Sequence, residues 1–134
     1  MSSPTELSLR KLRNDGYTVA IVEKWVPQTP AGFKGPIIRK DVWGFGDLIA
    51  VKISESAVIL VQTTSLANVS HRMSKIKQIA EAGIWLASGN RIIVHGWSQK
   101  KGSNRWRCKE VEVEFEVIEA KIPEHQETLT LSAS

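Results

Sequence analysis

The sequence predicts a mixed α/β domain in which helices pack against a central sheet, and three observations carry that reading. Several segments are rich in β-branched and aromatic residues, with period-two alternation or continuous apolar runs, as strands require. Others carry apolar residues at helical spacing. Their order along the chain is α, β, β, β, α, β, β, and a helix lying between strands favours a mixed sheet.

The segment SPTELSLRKLRNDG reads as a short helix. Ser3 caps it, Pro4 takes the first helical position, and Glu6 completes a Ser-x-x-Glu capping box. Leu7, Leu9 and Leu12 supply its apolar residues, and Asn14-Asp15-Gly16 ends it. YTVAIVEKWV follows as a strand, and the proline- and glycine-rich PQTPAGFKGP as a loop. FGDLIAVKI and AVILVQTT, joined by SESA, form a hairpin-like pair. Their nearly continuous apolar character suits a central strand covered on both faces. Val69, Met73, Ile76 and Ala80 then fall on one helical face, with Asn68 at the cap. Gly83 weakens this helix, so GIWLASG reads as a separate short helix closed by Gly89. NRIIVHGW and RWRCKEVEVEFEVIEA are the last strands, and SQKKGSNR between them is an exposed basic hairpin tip. Residues 121–134 read as a disordered acidic tail, which leaves 1–120 as a single domain.

The apolar and charged fractions, 42% and 24%, are those of an ordinary globular protein. The N-terminus lacks the apolar core of a secretory signal, and no run approaches the roughly 18–20 apolar residues of a membrane span. The single cysteine, Cys108, excludes an internal disulfide and a cysteine-rich zinc site. A cytoplasmic protein is expected, with no membrane partner. Charge is divided unevenly. Residues 1–109 hold 17 Lys and Arg against 7 acids, whereas residues 110–134 hold one Lys and 7 acids. A body this basic attracts a polyanion, and nucleic acid is the obvious one, although solubility alone can also account for the charge.

Asp47 opens its strand and Gln62 closes the next, so a two-strand meander brings both to one edge of the sheet. Two side-chain oxygens held there can share a hard cation such as Mg²⁺, which takes oxygen ligands and keeps several waters. Each residue also has an ordinary reading, Asp47 as a turn residue and Gln62 as a strand-end amide, both bonding nearby backbone.

RKDVWGFGDLIAV followed by VILVQTTS resembles the PD-(D/E)XK nuclease superfamily, the restriction-endonuclease-like and Holliday-junction-resolvase-like enzymes. Over about residues 5–110 the chain is similar to small phage and bacterial nuclease-like proteins carrying DxxGFxDLxA, QxTS and AGNRIxVxGW segments, with Ser88 in place of the last segment's alanine. The family pattern of an acid, a spacer, then Glu or Gln, any residue and Lys falls on Asp47 and on Gln62-Thr63-Thr64. What this resemblance implies is a restriction-endonuclease-like core, α-β-β-β-α-β, with a mixed central sheet flanked by helices. It also implies hydrolysis of phosphodiester bonds in nucleic acid, DNA rather than RNA, with Mg²⁺ or Mn²⁺ as cofactor. Asp47, Gln62 and the Thr63 carbonyl would hold the ion, and a further acid would complete the set, Glu23 first and Glu6 second. The family's lysine is Thr64 here, which carries no charge; Lys75 or Arg72, on the following helix, is the stand-in. Members of the family commonly dimerise, and RWRCKEVEVEFEV offers a strand edge for a homodimer.

Nucleic-acid contacts are expected from Arg39, Lys40, Arg72, Lys100, Lys101 and Arg105, with Trp43 and Trp106 available to stack on bases. Asp41 either pairs with Arg39 or Lys40 or orients a substrate loop. His71, His95 and His125 show no metal spacing to one another, and Cys108 shows no base partner. Two rival functions stand beside the nuclease: a binding module that kept a nuclease scaffold, which Thr64 favours, and a protein-interaction domain using the acidic C-terminal region.

Overall fold

The computed structural model describes residues 3–27 and 37–114. Helix α1 (Pro4–Asn14) starts as its sequence dictates: Ser3 Oγ accepts the Glu6 N–H at 3.2 Å, and Pro4 sits in the first turn. Glu6 in the first turn and Lys11 and Arg13 in the last complement the helix dipole. The helix buries Leu7 and Leu12, and also Thr5 and Ser8, two polar residues that the spacing of leucines does not announce.

Strand β1 (Thr18–Ile21) pairs antiparallel with β4 (Leu48–Lys52), Ile21 lying opposite Leu48. The predicted single strand YTVAIVEKWV is in fact two. The Val22 N–H still bonds the Asp47 carbonyl at 2.9 Å, but there the partner strand turns away and β1 has nothing further to pair with. The chain continues as β2 (Lys24–Pro27), which pairs with β3 (Ile37–Lys40) in a separate two-stranded sheet. The proline-rich loop 28–36 lies outside the described residues.

The main sheet has the order β1-β4-β5-β6-β7, with β5 (Glu55–Ser65), β6 (Arg91–Gln99) and β7 (Trp106–Glu112). Strands β5 and β6 are parallel and every other neighbouring pair is antiparallel, so the sheet is mixed as expected. The parallel crossover runs through a single 3-10 turn (Leu66–Asn68), α2 (Val69–Lys77) and α3 (Ala80–Ala87). The break between these helices falls at Gln78 and Ile79, not at Gly83, which lies inside α3. Ile79 adopts extended backbone there (φ −93, ψ 119) and packs against the core cluster. Asn68 occupies the position before α2 but caps nothing, because it already belongs to the 3-10 turn. Gly96 on β6 admits this crossover, since a Cβ there would overlap Val69 Cγ2 and lie 3.2 Å from Leu66 Cα.

Both faces of the sheet are covered. On the α1 face, Leu12 packs with Leu48, Ala50, Ile59, Val61 and Ile93. On the other, Phe45, Leu60, Ile92 and Val94 pack against Val69, Ile76 and Ala82 of α2 and α3. Strand β5 is the central element, buried without interruption from Ile59 to Thr64. Burial therefore continues past the last aliphatic residue, Val61, into Gln62-Thr63-Thr64, which makes those polar residues a site to explain. No helix among the described residues is long and apolar enough to cross a membrane. The predicted continuation of the last strand past residue 114 and the tail 121–134 lie outside the described residues.

Candidate metal centre

Three strand registers converge on one point. Asp47 stands one position before the Leu48–Val61 pair, so it faces Gln62 across β4 and β5. Val42 and Gly46 form an isolated antiparallel bridge, and one position outside it Asp41 faces Asp47. In the minor sheet Lys24 pairs with Lys40, and one position beyond that pair Glu23 faces Asp41. Carboxylate oxygens of Glu23, Asp41 and Asp47 accordingly lie within 4.8 Å of one another. Asp47 is fully buried; Glu23 and Asp41 are half-buried.

The Asp41–Asp47 juxtaposition depends on a very short turn. The Phe45 N–H bonds the Val42 carbonyl at 3.1 Å, and both central residues, Trp43 (φ 53) and Gly44 (φ 85), adopt left-handed backbone. A tryptophan with positive φ is strained, and it persists here because the flanking bridge and the buried Phe45 fix the turn. Gly46 completes the device: a Cβ there would come within 2.7 Å of the Leu60 side chain.

Asp47 is held by one of its two oxygens. Oδ2 accepts from the Thr63 backbone N–H (2.7 Å), the Gln62 amide nitrogen (2.9 Å) and the Thr63 hydroxyl (3.2 Å). Thr63 Oγ1 is itself tied to Thr5 Oγ1 of α1 at 3.1 Å. Oδ1 is buried and accepts no hydrogen bond, and neither does Gln62 Oε1. Burial pushes the Asp47 pKa up to about 7; the Thr63 N–H opposes this, and the nearby acids Asp41 and Glu23 add to it. A buried carboxylate with a bare oxygen beside two further acids is the donor set that a hard divalent cation satisfies.

Of the residues expected to form the site, Asp47, Gln62, Thr63 and Glu23 are together, and Asp41 joins them as a third acid. Gln62 touches Asp47 through nitrogen, so it orients the acid; its oxygen is the atom left for an ion. Thr64 is buried on the same face as Gln62. Glu6 is an exposed residue whose backbone N–H bonds the helix cap. On α2, Lys75 and His71 are exposed, whereas Arg72 is half-buried with its Nε shielded and without a hydrogen-bond partner. The Trp43 indole is 46% exposed and meets Trp85 edge-on, ring centres 5.8 Å apart. Lys40 is exposed, and the Arg39 side chain lies outside the described residues.

Lys100, Lys101 and Arg105 cluster at the tip between β6 and β7, where with Arg107, Ser103 and Trp106 they line a concavity of about 520 Å³. This tip extends from the C-terminal end of β6, beside the end of β5 that carries Gln62-Thr63-Thr64. It therefore projects from the same rim as the carboxylates, roughly 20 Å further along the strand direction at about 3.3 Å per residue.

His95 is not the isolated strand histidine that its spacing suggests. It is fully buried, its register partner across β6 and β7 is Glu110, and Cys108 is the next residue on the same face of β7. Burial lowers the His95 pKa to about 4 and raises the Cys108 thiol to about 12, so without a cation beside it Cys108 stays protonated and is no nucleophile.

The chain is thus an α/β domain whose mixed sheet carries three carboxylates at one rim and a basic hairpin projecting from the same rim. No family model, curated protein or solved structure matches it.

Proposed function

We propose that this protein is a divalent-cation-dependent nuclease of the PD-(D/E)XK type, hydrolysing phosphodiester bonds in nucleic acid, DNA rather than RNA. The observation that carries this reading is the convergence of Glu23, Asp41 and Asp47 beside Gln62 and Thr63. Mg²⁺ bonds of about 2.0–2.1 Å require ligand oxygens roughly 3–4 Å apart, which carboxylates within 4.8 Å of one another can reach by small side-chain movements. A bound Mg²⁺ or Mn²⁺ supplies polarisation of the phosphate and a more acidic attacking water.

The chain's own groups do the rest. Thr63 and Gln62 lock Asp47 through Oδ2 and leave Oδ1 without a hydrogen bond and available to an ion, while Glu23 and Asp41 would close the set. Thr64 contributes no charge, so the positive charge needed at the phosphate must come from elsewhere, and Arg72 is better prepared for this than the solvated Lys75. Lys100, Lys101 and Arg105 hold the substrate by its phosphates, and exposed Trp43 offers a face to a base. Strand β7 lies at the end of the sheet order, where a second copy would add in a homodimer.

A plasmid-nicking assay with Mg²⁺ or Mn²⁺ tests this. The expected result is nicking by the wild type, none after chelation, and none by Asp47→Ala, which still binds DNA at low salt. A second reading, a binding module that retains the scaffold without chemistry, is favoured by one observation, the uncharged, buried Thr64. Equal DNA binding by both proteins with no cutting by either establishes that reading and discards the enzyme. Failure of the wild type to bind DNA at low salt removes both.

A further inference from the structure

The Glu23–Asp41–Asp47 cluster is an all-oxygen set, but a second group of ligand-type side chains sits on the α1 face of β6 and β7. His95 Nε2, Cys108 Sγ and a Glu110 carboxylate oxygen lie within 4.8 Å of one another, with Nε2 3.6 Å from Glu110 Oε1. We infer that His95, Cys108 and Glu110 form a separate site for a borderline-soft divalent cation of the zinc type, independent of the nuclease reading.

Three features point to a ligand and not to a chance grouping. The first is an unsatisfied atom: His95 has no exposed surface, and its Nε2 makes no hydrogen bond. A fully buried ring nitrogen beside a thiol and a carboxylate, with no hydrogen-bond partner and Glu110 only at 3.6 Å, is a polar demand not fully met. The second is the support behind the ring. Nδ1 lies 2.8 Å from Ser8 Oγ, which also receives the Trp97 indole N–H at 2.8 Å. The Ser8 contact fixes the ring in either tautomer; a cation at Nε2 would select the one in which Nδ1 donates to Ser8, the outer hydrogen bond by which metal-bound histidines are oriented. The third is the mixture of donors. One nitrogen, one sulfur and one oxygen suit Zn²⁺ or Co²⁺, whereas Mg²⁺ prefers oxygen alone.

The geometry requires only small movements. Zinc bonds of about 2.3 Å to sulfur and about 2.0–2.2 Å to nitrogen and oxygen place tetrahedral ligands roughly 3.3–3.8 Å apart. The His95–Glu110 distance already falls in that range at 3.6 Å, and the Glu110 side chain, 45% exposed, is free to adjust. Lys11 currently holds Glu110 at 3.3 Å, but it also lies 3.3 Å from Asp15 and can transfer wholly to it when a metal takes Glu110. Three protein ligands leave one position for water.

Titration of the full chain with Co²⁺, followed by absorption, tests the inference. One equivalent is expected to produce a near-ultraviolet sulfur-to-cobalt band with tetrahedral visible bands. Zn²⁺ should bleach both, and excess Mg²⁺ should leave them intact. Cys108→Ser should abolish the sulfur band. Ser8→Ala should weaken Co²⁺ affinity by about 10–100-fold as loss of an orienting hydrogen bond predicts, and Lys11→Met should tighten it. Absence of the sulfur band in the wild type, or its survival in Cys108→Ser, overturns the site. Since Mg²⁺-dependent nicking is read on different residues, success or failure of either experiment leaves the other standing.

Discussion

Asp41 and Asp47 are six positions apart, yet they meet because Trp43 and Gly44 both accept left-handed backbone and Gly46 carries no side chain. Gly46→Ala should destabilise the fold by about 1–3 kcal/mol, as overpacking against Leu60 costs, measured by urea unfolding. Its catalytic counterpart is Asp41→Asn, expected to raise the Mg²⁺ requirement for nicking by at least about tenfold. An Mg²⁺ titration unchanged from wild type would mean that Asp41 does not hold the ion. Arg72→Ala should slow nicking by about 10²-fold, as loss of a charge-stabilising donor does, while Lys75→Ala should change little. These residues were unequally legible. Asp47 stands just before its strand and Gln62 where the aliphatic run stops, so apolar patterning locates both, although β5 does not close at Gln62 as expected but continues to Ser65. Asp41 depends on a hairpin one pair long, and Glu23 on a strand that changes sheets, and neither leaves a periodic trace.

The elements that were readable are those whose apolar period reports burial: α1, β4, β5 and β6 all stand close to the expected positions. The minor sheet was not, because β2 and β3 are four residues each and are joined through a proline-rich segment whose composition reads only as a loop. The juxtaposition of His95, Cys108 and Glu110 was hidden for another reason. It arises from the β6–β7 register, and register depends on the turn between strands rather than on the residues that meet. If the proposed nuclease reading holds, that same turn bears on substrate affinity. It is tight, with the Ser103 N–H on the Lys100 carbonyl at 2.9 Å and Gly102 at positive φ, so it presents its cations as a fixed group. Replacing Lys100, Lys101 and Arg105 together by alanine should flatten the dependence of log K on log[salt] by about 0.9 for each phosphate that the variant no longer neutralises. A slope equal to wild type would show that the tip stands clear of the nucleic acid.

At the scale of the whole molecule, two fully buried titratable residues, Asp47 and His95, give the protein opposing responses to pH. The folded-state pKa of Asp47, about 7 because of burial, exceeds the unfolded value near 3.9, so the native state binds more protons between them and stability falls as pH rises through that window. The cost of ionisation falls on the cluster as a whole, because Asp41 and Glu23 share in raising this pKa. His95 behaves oppositely: with a folded pKa of about 4, again from burial, the unfolded chain binds more protons up to about 6.5, and stability rises across that interval by about 3 kcal/mol. The exposed Arg91–Glu112 pair adds little to either trend. The two slopes oppose one another over the interval they share, so the wild type should vary less with pH there than a variant that has lost either group, and should lose stability towards pH 7. Asp47→Asn removes one slope and should uncover the other, a protein whose stability climbs with pH through the same interval. Mg²⁺ should act on the wild type in the reverse sense to protons, since it engages the ionised acid; its stabilisation should therefore grow as pH approaches 7 and vanish in the variant. Urea unfolding of both proteins across this range, with and without Mg²⁺, measures all three trends, and identical profiles for wild type and variant would show that Asp47 does not carry the buried charge that the cluster requires.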